Sequence, residues 1–282
     1  MFGRYSSLGI VGGSPASPAG LEESVIHSCG TLAKIAEDRS ILYSCGGIVL
    51  SPRWVLTAAH CLRGAIERAF ILGRDPEESP RTWAGIDRLE APPGFDAELL
   101  FGGSSAPPPE VVRGLDVALV HLTSDLPAPA VRLATADPAV GSRVWIAGHG
   151  RTADTGSGAN NSVLNFAEAE VSQVGDGFLR LANVGLGRLA GRDSGSPCFA
   201  RNASGYELVG VVSAITMAGD QAASSVARRR PWIDSVVGPG AREVPDGGVP
   251  GLPGPTSGVA APLIIGGVLG IGLLVLLLSG RE

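Results

Sequence analysis

Ser194 stands in the heptapeptide GRDSGSP, residues 191–197, between an aspartate and a glycine. A serine hydroxyl is a weak nucleophile at neutral pH. It becomes effective when a base takes its proton and a third group holds that base in the right tautomer. The chain has four histidines to supply the base: His27, His60, His121 and His149. His60 lies in VLTAAHC, directly after an apolar, strand-like run and directly before Cys61; His121 follows DVALV, and His149 sits between glycines in AGHG. Taken singly, a core histidine, a turn aspartate or a loop serine has an ordinary structural role. Taken together, these residue types allow acyl transfer.

The segments IVGG at 10–13, LTAAHC at 56–61, DVAL at 116–119 and DSGSP at 193–197 follow one another in that order. Together they resemble the trypsin/chymotrypsin family of serine proteases, over about residues 10–237. The resemblance implies a serine endopeptidase acting on proteins or peptides. His60 takes the place of the general base, Asp116 that of the carboxylate that orients it, and Ser194 that of the nucleophile. The backbone N–H groups of Arg192 and Ser194 would form the oxyanion hole. A new amino terminus at Ile10, freed by an activating protease between Gly9 and Ile10, would fold inward onto Asp193, so the intact chain would be a zymogen. Cys45 and Cys61 match the family's disulfide beside the catalytic histidine. Cys29 and Cys198 match no family pair; either they pair with each other or they stay buried and free. Ser213 resembles the serine that hydrogen-bonds the triad aspartate, on a strand that pairs with substrate backbone.

Two departures fall beside the nucleophile. Arg192 and Ser196 stand where the family has glycine. Arg192 keeps its N–H, but glycine is favoured where backbone approaches a ligand closely or takes an unusual φ. In the family's primary pocket, Arg188 matches the base, and Ser213, Ala214 and Ile215 the wall. An arginine at the base argues against selection of Lys or Arg, and Ile215 narrows the pocket, so cleavage after Lys or Arg is expected to be poor. The rival reading is a catalytically weak or inactive homologue, a membrane-displayed binding module.

The elements that must hold these residues read as strands. Short apolar runs rich in β-branched residues (CGGIVL, RWVLTA, DVALVHL, SRVWIAG, ELVGVVSAI) alternate with turns, and the 41 glycines and 21 prolines fit many short strands. This is an all-β pattern. The resemblance sharpens it to two antiparallel six-stranded β-barrels, about 10–128 and 129–237, with His60 and Asp116 on the first and Ser194 on the second. AAHCLRG and ARRRPWIDSVV read as short helices, the second closing the domain. Residues 91–110, rich in proline and glycine, read as an exposed insertion.

Beyond the domain, residues 238–258 are dominated by proline and glycine and read as a linker. Val259 to Leu278 is a run of twenty residues without a charge. As a helix it would be about 30 Å long, the thickness of a bilayer's hydrocarbon core. Residues 259–279 are therefore expected to form one transmembrane helix, with 280–282 as the tail. The disulfide and the resemblance place the protease domain outside the cytoplasm. Residues 1–9, a short leader, contain no signal-peptide core, so either the true start lies upstream or the protein is tail-anchored and its bulk never crosses a membrane. The net charge of −5 and the absence of long basic runs speak against nucleic acid. No CxxC pair is present, so neither a zinc site nor a thioredoxin-type motif is indicated, and no metal or organic cofactor is implied. Asn160 and Asn202 begin N-x-S sequons that recur by chance and are treated as unmodified.

Overall fold

The structure is a computed structural model that describes residues 10–35, 41–62, 68–76, 81–95, 114–127, 131–150, 163–185, 187–189, 191–215 and 221–238. The leader, the linker beyond Gly238, the apolar run 259–279, the tail, Asn160 and most of the 91–110 insertion lie outside the described residues. Among the described residues, no helix is long and apolar enough to cross a membrane.

Two closed antiparallel barrels hold the strands. The first contains β1 (Cys29–Ile35), β2 (Ile41–Ser51), β3 (Trp54–Thr57), β4 (Arg68–Leu72), β5 (Thr82–Glu90) and β6 (Ala118–Leu122). The second contains β7 (Arg143–Gly148), β8 (Asn165–Val174), β9 (Phe178–Asn183), β10 (Pro197–Asn202), β11 (Gly205–Ile215) and β12 (Gln221–Ser225). Around the first barrel the order is β1-β2-β3-β6-β5-β4; around the second it is β7-β8-β9-β12-β11-β10. Each barrel therefore repeats the same connectivity. Among the described residues, closure leaves no free sheet edge, which removes the usual template for edge-to-edge association.

The predicted runs became strands where apolar residues could face a barrel interior. WVLT is buried at every position of β3. Ile48, Leu50, Leu56, Phe70, Leu119 and Leu122 of the first barrel are each fully buried. Ile146, Val171, Leu179, Val209 and Val212 fill the second, and Ile10 from the amino-terminal segment packs with them. Phe166, Phe199, Leu208 and Val211 of the second barrel join the core of the first, so the two pack on each other.

AAHCLRG forms only a 3-10 turn, Ala59–Leu62. ARRRPWIDSVV lies within α2, Val226–Val237; α1 is the short helix Glu23–His27. The Ser225 hydroxyl caps α2 by accepting the Arg228 N–H at 3.2 Å. Pro231 sits inside the helix, and Gly238 at φ +88° ends it. Val226 and Ile233 of α2 are buried in the common core.

Candidate active site

His60 lies on the 3-10 turn after β3, and Asp116 lies just before β6. Strands β3 and β6 are paired neighbours, with Thr57 opposite Ala118. This pairing brings together two groups 56 residues apart. The Asp116 carboxylate is fully buried. Its Oδ1 accepts the His60 backbone N–H at 2.8 Å and its Oδ2 lies 2.7 Å from His60 Nδ1. An ionised carboxylate only accepts, so Nδ1 carries the proton and Nε2 is left as the basic nitrogen. The Ser213 hydroxyl of β11 donates to the same Oδ2 at 2.5 Å. The Ser194 hydroxyl donates to the Ser213 carbonyl at 3.3 Å. Ser213 thus joins the carboxylate of one barrel to the nucleophile candidate of the other.

The turn bearing Ser194 is pinned from both barrels. From the first, Gly46 donates its N–H to the Ser194 carbonyl at 2.8 Å. From the second, Val212 accepts the Gly195 N–H at 2.7 Å, and Ser196 N–H closes the turn onto the Asp193 carbonyl at 3.0 Å. Gly195 has φ +81°, and a Cβ there would lie 2.3 Å from the Gly46 carbonyl and the Thr57 hydroxyl. Only glycine fits that conformation and that space. Asp193 is almost wholly buried, and its Oδ1 accepts the Gly150 N–H at 2.8 Å. No sequence motif signals Gly150, because the contact spans 43 residues of chain.

Arg192 takes φ +80°. An L-residue there costs roughly 1–2 kcal/mol that glycine does not incur. Ile10 also has a positive φ, +55°, although it is β-branched and fully buried. Its segment is anchored by Gly13 N–H to the Ile10 carbonyl at 2.8 Å and by paired bonds between Ser14 and Phe166. Val11 bridges to Arg188, whose N–H donates to the Val11 carbonyl at 2.9 Å. Arg188 itself is exposed. Ala214 and Ile215 end β11, opposite Ala222 and Gln221 of β12.

Cys45 and Cys61 form a disulfide that ties β2 to the histidine turn. Cys29 and Cys198 are both free and buried, on strands of different barrels, and this closes the alternative that they pair with each other. Burial pushes both thiols up to about 12, so they are inert at neutral pH. Among the described residues one grouping, Cys45, His60 and Cys61, has metal-like proximity. Its two sulfurs are consumed by the disulfide, so they offer no thiolate.

A family model described as Trypsin matches residues 18–233. The chain belongs to the trypsin family of serine-type endopeptidases. It is 34% identical over 127 residues to the renal glandular kallikrein of Mastomys natalensis, covering 43% of this chain and 48% of that protein. It is 31% identical over 202 residues to transmembrane protease serine 5 of Homo sapiens, covering 61% of this chain and 40% of that protein. The chain thus spans about half the length of these relatives, or less. Among solved structures, neuropsin, a serine protease expressed in the limbic system of mouse brain, superposes with a TM-score of 0.62 at 18% identity. That match covers 81% of this chain and all of neuropsin, and it is a likeness of fold.

Proposed function

We propose that the chain is a membrane-anchored serine endopeptidase that cleaves peptide bonds through an acyl-enzyme on Ser194. One observation carries the reading: a single hydrogen-bonded network runs from His60 through Asp116 and Ser213 to Ser194. His60 Nε2 takes the Ser194 proton as the oxygen attacks the substrate carbonyl. Asp116 holds the imidazole and stabilises its charged form. The N–H groups of Arg192 and Ser194 receive the developing oxyanion. His60 then returns the proton to the leaving amine, and water activated by the same histidine releases the acyl group. Substrate backbone lies along β11 at Ser213, Ala214 and Ile215, with Arg188 at the pocket base, so an acidic or small side chain is preferred over Lys or Arg.

The catalytic domain occupies residues 10–237, outside the cytoplasm, with 238–258 as tether and 259–279 as a single-pass anchor. Cleavage before Ile10 by an activating protease frees an ammonium for Asp193. It also removes the peptide bond that defines the strained φ of Ile10. Arg192 favours a second reading, a weak or silent homologue that binds rather than cuts, because its left-handed backbone carries a side chain the family omits. Fluorophosphonate labelling of the full chain in detergent, cut before Ile10, separates the two. The protease reading expects a stoichiometric adduct on Ser194, abolished in Ser194→Ala. An unlabelled processed chain refutes it.

A further inference from the structure

Residues 148–150, Gly-His-Gly, touch both sides of the site. On one side stands Asp193. A Cβ at Gly148 or at Gly150 would lie 2.3 Å from atoms of its carboxyl group, so neither position admits a side chain. The turn therefore has one side chain with which to hold itself, that of His149. The imidazole is buried and reaches the other barrel, where its Nε2 lies 3.1 Å from the Gly73 carbonyl just after β4. Nε2 is the donor in that bond, which leaves Nδ1 without a proton. Nδ1 is buried and has no hydrogen-bond partner among the described residues.

We propose that His149 is a positioning residue for the nucleophile turn: as a neutral imidazole bonded to Gly73 it holds the Gly150 amide on Asp193, and its protonation releases that clamp. The inference rests on the reading of Ser194 as nucleophile. Protonation would put a charge into a buried site where the Gly73 and Arg74 carbonyls and Asp75 are all that favours it. The charged group that acts on the imidazole is Asp75, beyond Gly73, while the Asp193 carboxyl faces the flanking Gly148 and Gly150. Arg74 turns its guanidinium away, onto Glu23 and the Pro15 carbonyl. Asn165, opposite Gly148 on β8, is uncharged. Burial outweighs the carbonyls and Asp75 and pushes the pKa down to about 4. Expulsion of a charged His149 would draw Gly150 off Asp193, the residue directly before Ser194.

Two readouts on the full chain test this, fluorophosphonate labelling of Ser194 and hydrogen exchange at the Gly150 amide. At pH 8, His149→Ala should slow labelling about tenfold, and His149→Gln, which keeps an N–H donor but does not titrate, should recover most of it. Between pH 6 and 4 the protection of the Gly150 amide should fall reversibly in the wild type with its strand circular dichroism intact, while His149→Gln keeps it; labelling is read at pH 8 alone, because it also needs His60 unprotonated. Gly150 exchange should quicken about tenfold in His149→Ala at pH 8. Unchanged Gly150 exchange in His149→Ala, or the same acid loss of Gly150 protection in His149→Gln, overturns the clamp. If Ser194 never labels while Gly150 exchange responds as stated, the clamp stands and the protease reading falls.

Discussion

Ser213→Ala separates stability from catalysis at the heart of the site. The buried Asp116 carboxylate receives three hydrogen bonds from His60 and Ser213: the His60 N–H at 2.8 Å, His60 Nδ1–H at 2.7 Å and the Ser213 hydroxyl at 2.5 Å. The substitution removes the third and leaves the other two. A hydrogen bond to a charged group contributes about 1.5–3 kcal/mol, so the variant should lose about 2 kcal/mol. For a domain of this size that lowers Tm by about 4–8 °C. Catalysis should suffer less, because Nδ1–H still points at the carboxylate and Nε2 stays basic. The Ser213 carbonyl, which accepts the hydrogen bond from the Ser194 hydroxyl, is backbone and survives the change. Labelling by fluorophosphonate should slow less than about tenfold, against about 10⁴ when the orienting carboxylate itself is lost. Thermal denaturation and labelling kinetics on the same samples decide the matter, and a double-mutant cycle with Asp116→Ala should show non-additive stability losses. An unchanged Tm with a thousandfold loss of rate would refute the reasoning, since the hydroxyl would then be acting in the chemistry and not in solvating a buried anion.

Three further outcomes follow from the same geometry. The Ser196 hydroxyl is buried without a partner among the described residues and lies against Gly46, so Ser196→Ala should stabilise the protein by about 1 kcal/mol, seen as a Tm rise of about 2–4 °C. Arg192→Gly should speed Ser194 labelling about tenfold by relaxing the hole. Its stability should shift by less than about 1 kcal/mol, because relief of the left-handed backbone is offset by glycine's unfolded entropy; stopped-flow labelling and urea titration check both. His149 has a folded pKa of about 4 against an ordinary value near 6.5, so the unfolded chain takes up its proton first as pH falls. Stability should decline from about pH 6.5 to about pH 4 by about 3 kcal/mol, and urea titrations across that window should show the slope flattened in His149→Gln.

Short contiguous motifs made the candidate triad legible. LTAAHC carries its histidine at the end of a strand, DVAL carries its aspartate at the start of the paired one, and DSGSP encodes a tight turn through Gly195. The β-branched runs announced β2, β3, β6, β7 and β11. β12, QAASS, gave no such signal. Its residues are glutamine, alanine and serine, none of them β-branched, and it is buried at every position because the barrel closes over it. The identical strand order of the two barrels was equally hidden, since connectivity leaves no residue pattern. Gly150 on Asp193 and His149 on Gly73 were illegible for a related reason: both contacts join segments far apart in sequence. Cys29 and Cys198 could not be resolved by spacing, and their placement on separate barrels decided the outcome.

The central claim is that the chain hydrolyses peptide bonds through Ser194. The most direct measurement is mass-spectrometric mapping of a peptide library incubated with the full chain, cut before Ile10, alongside Ser194→Ala. Defined new termini are expected that disappear with Ser194→Ala, few of them after Lys or Arg. An uncleaved library, or products that persist in Ser194→Ala, would contradict it.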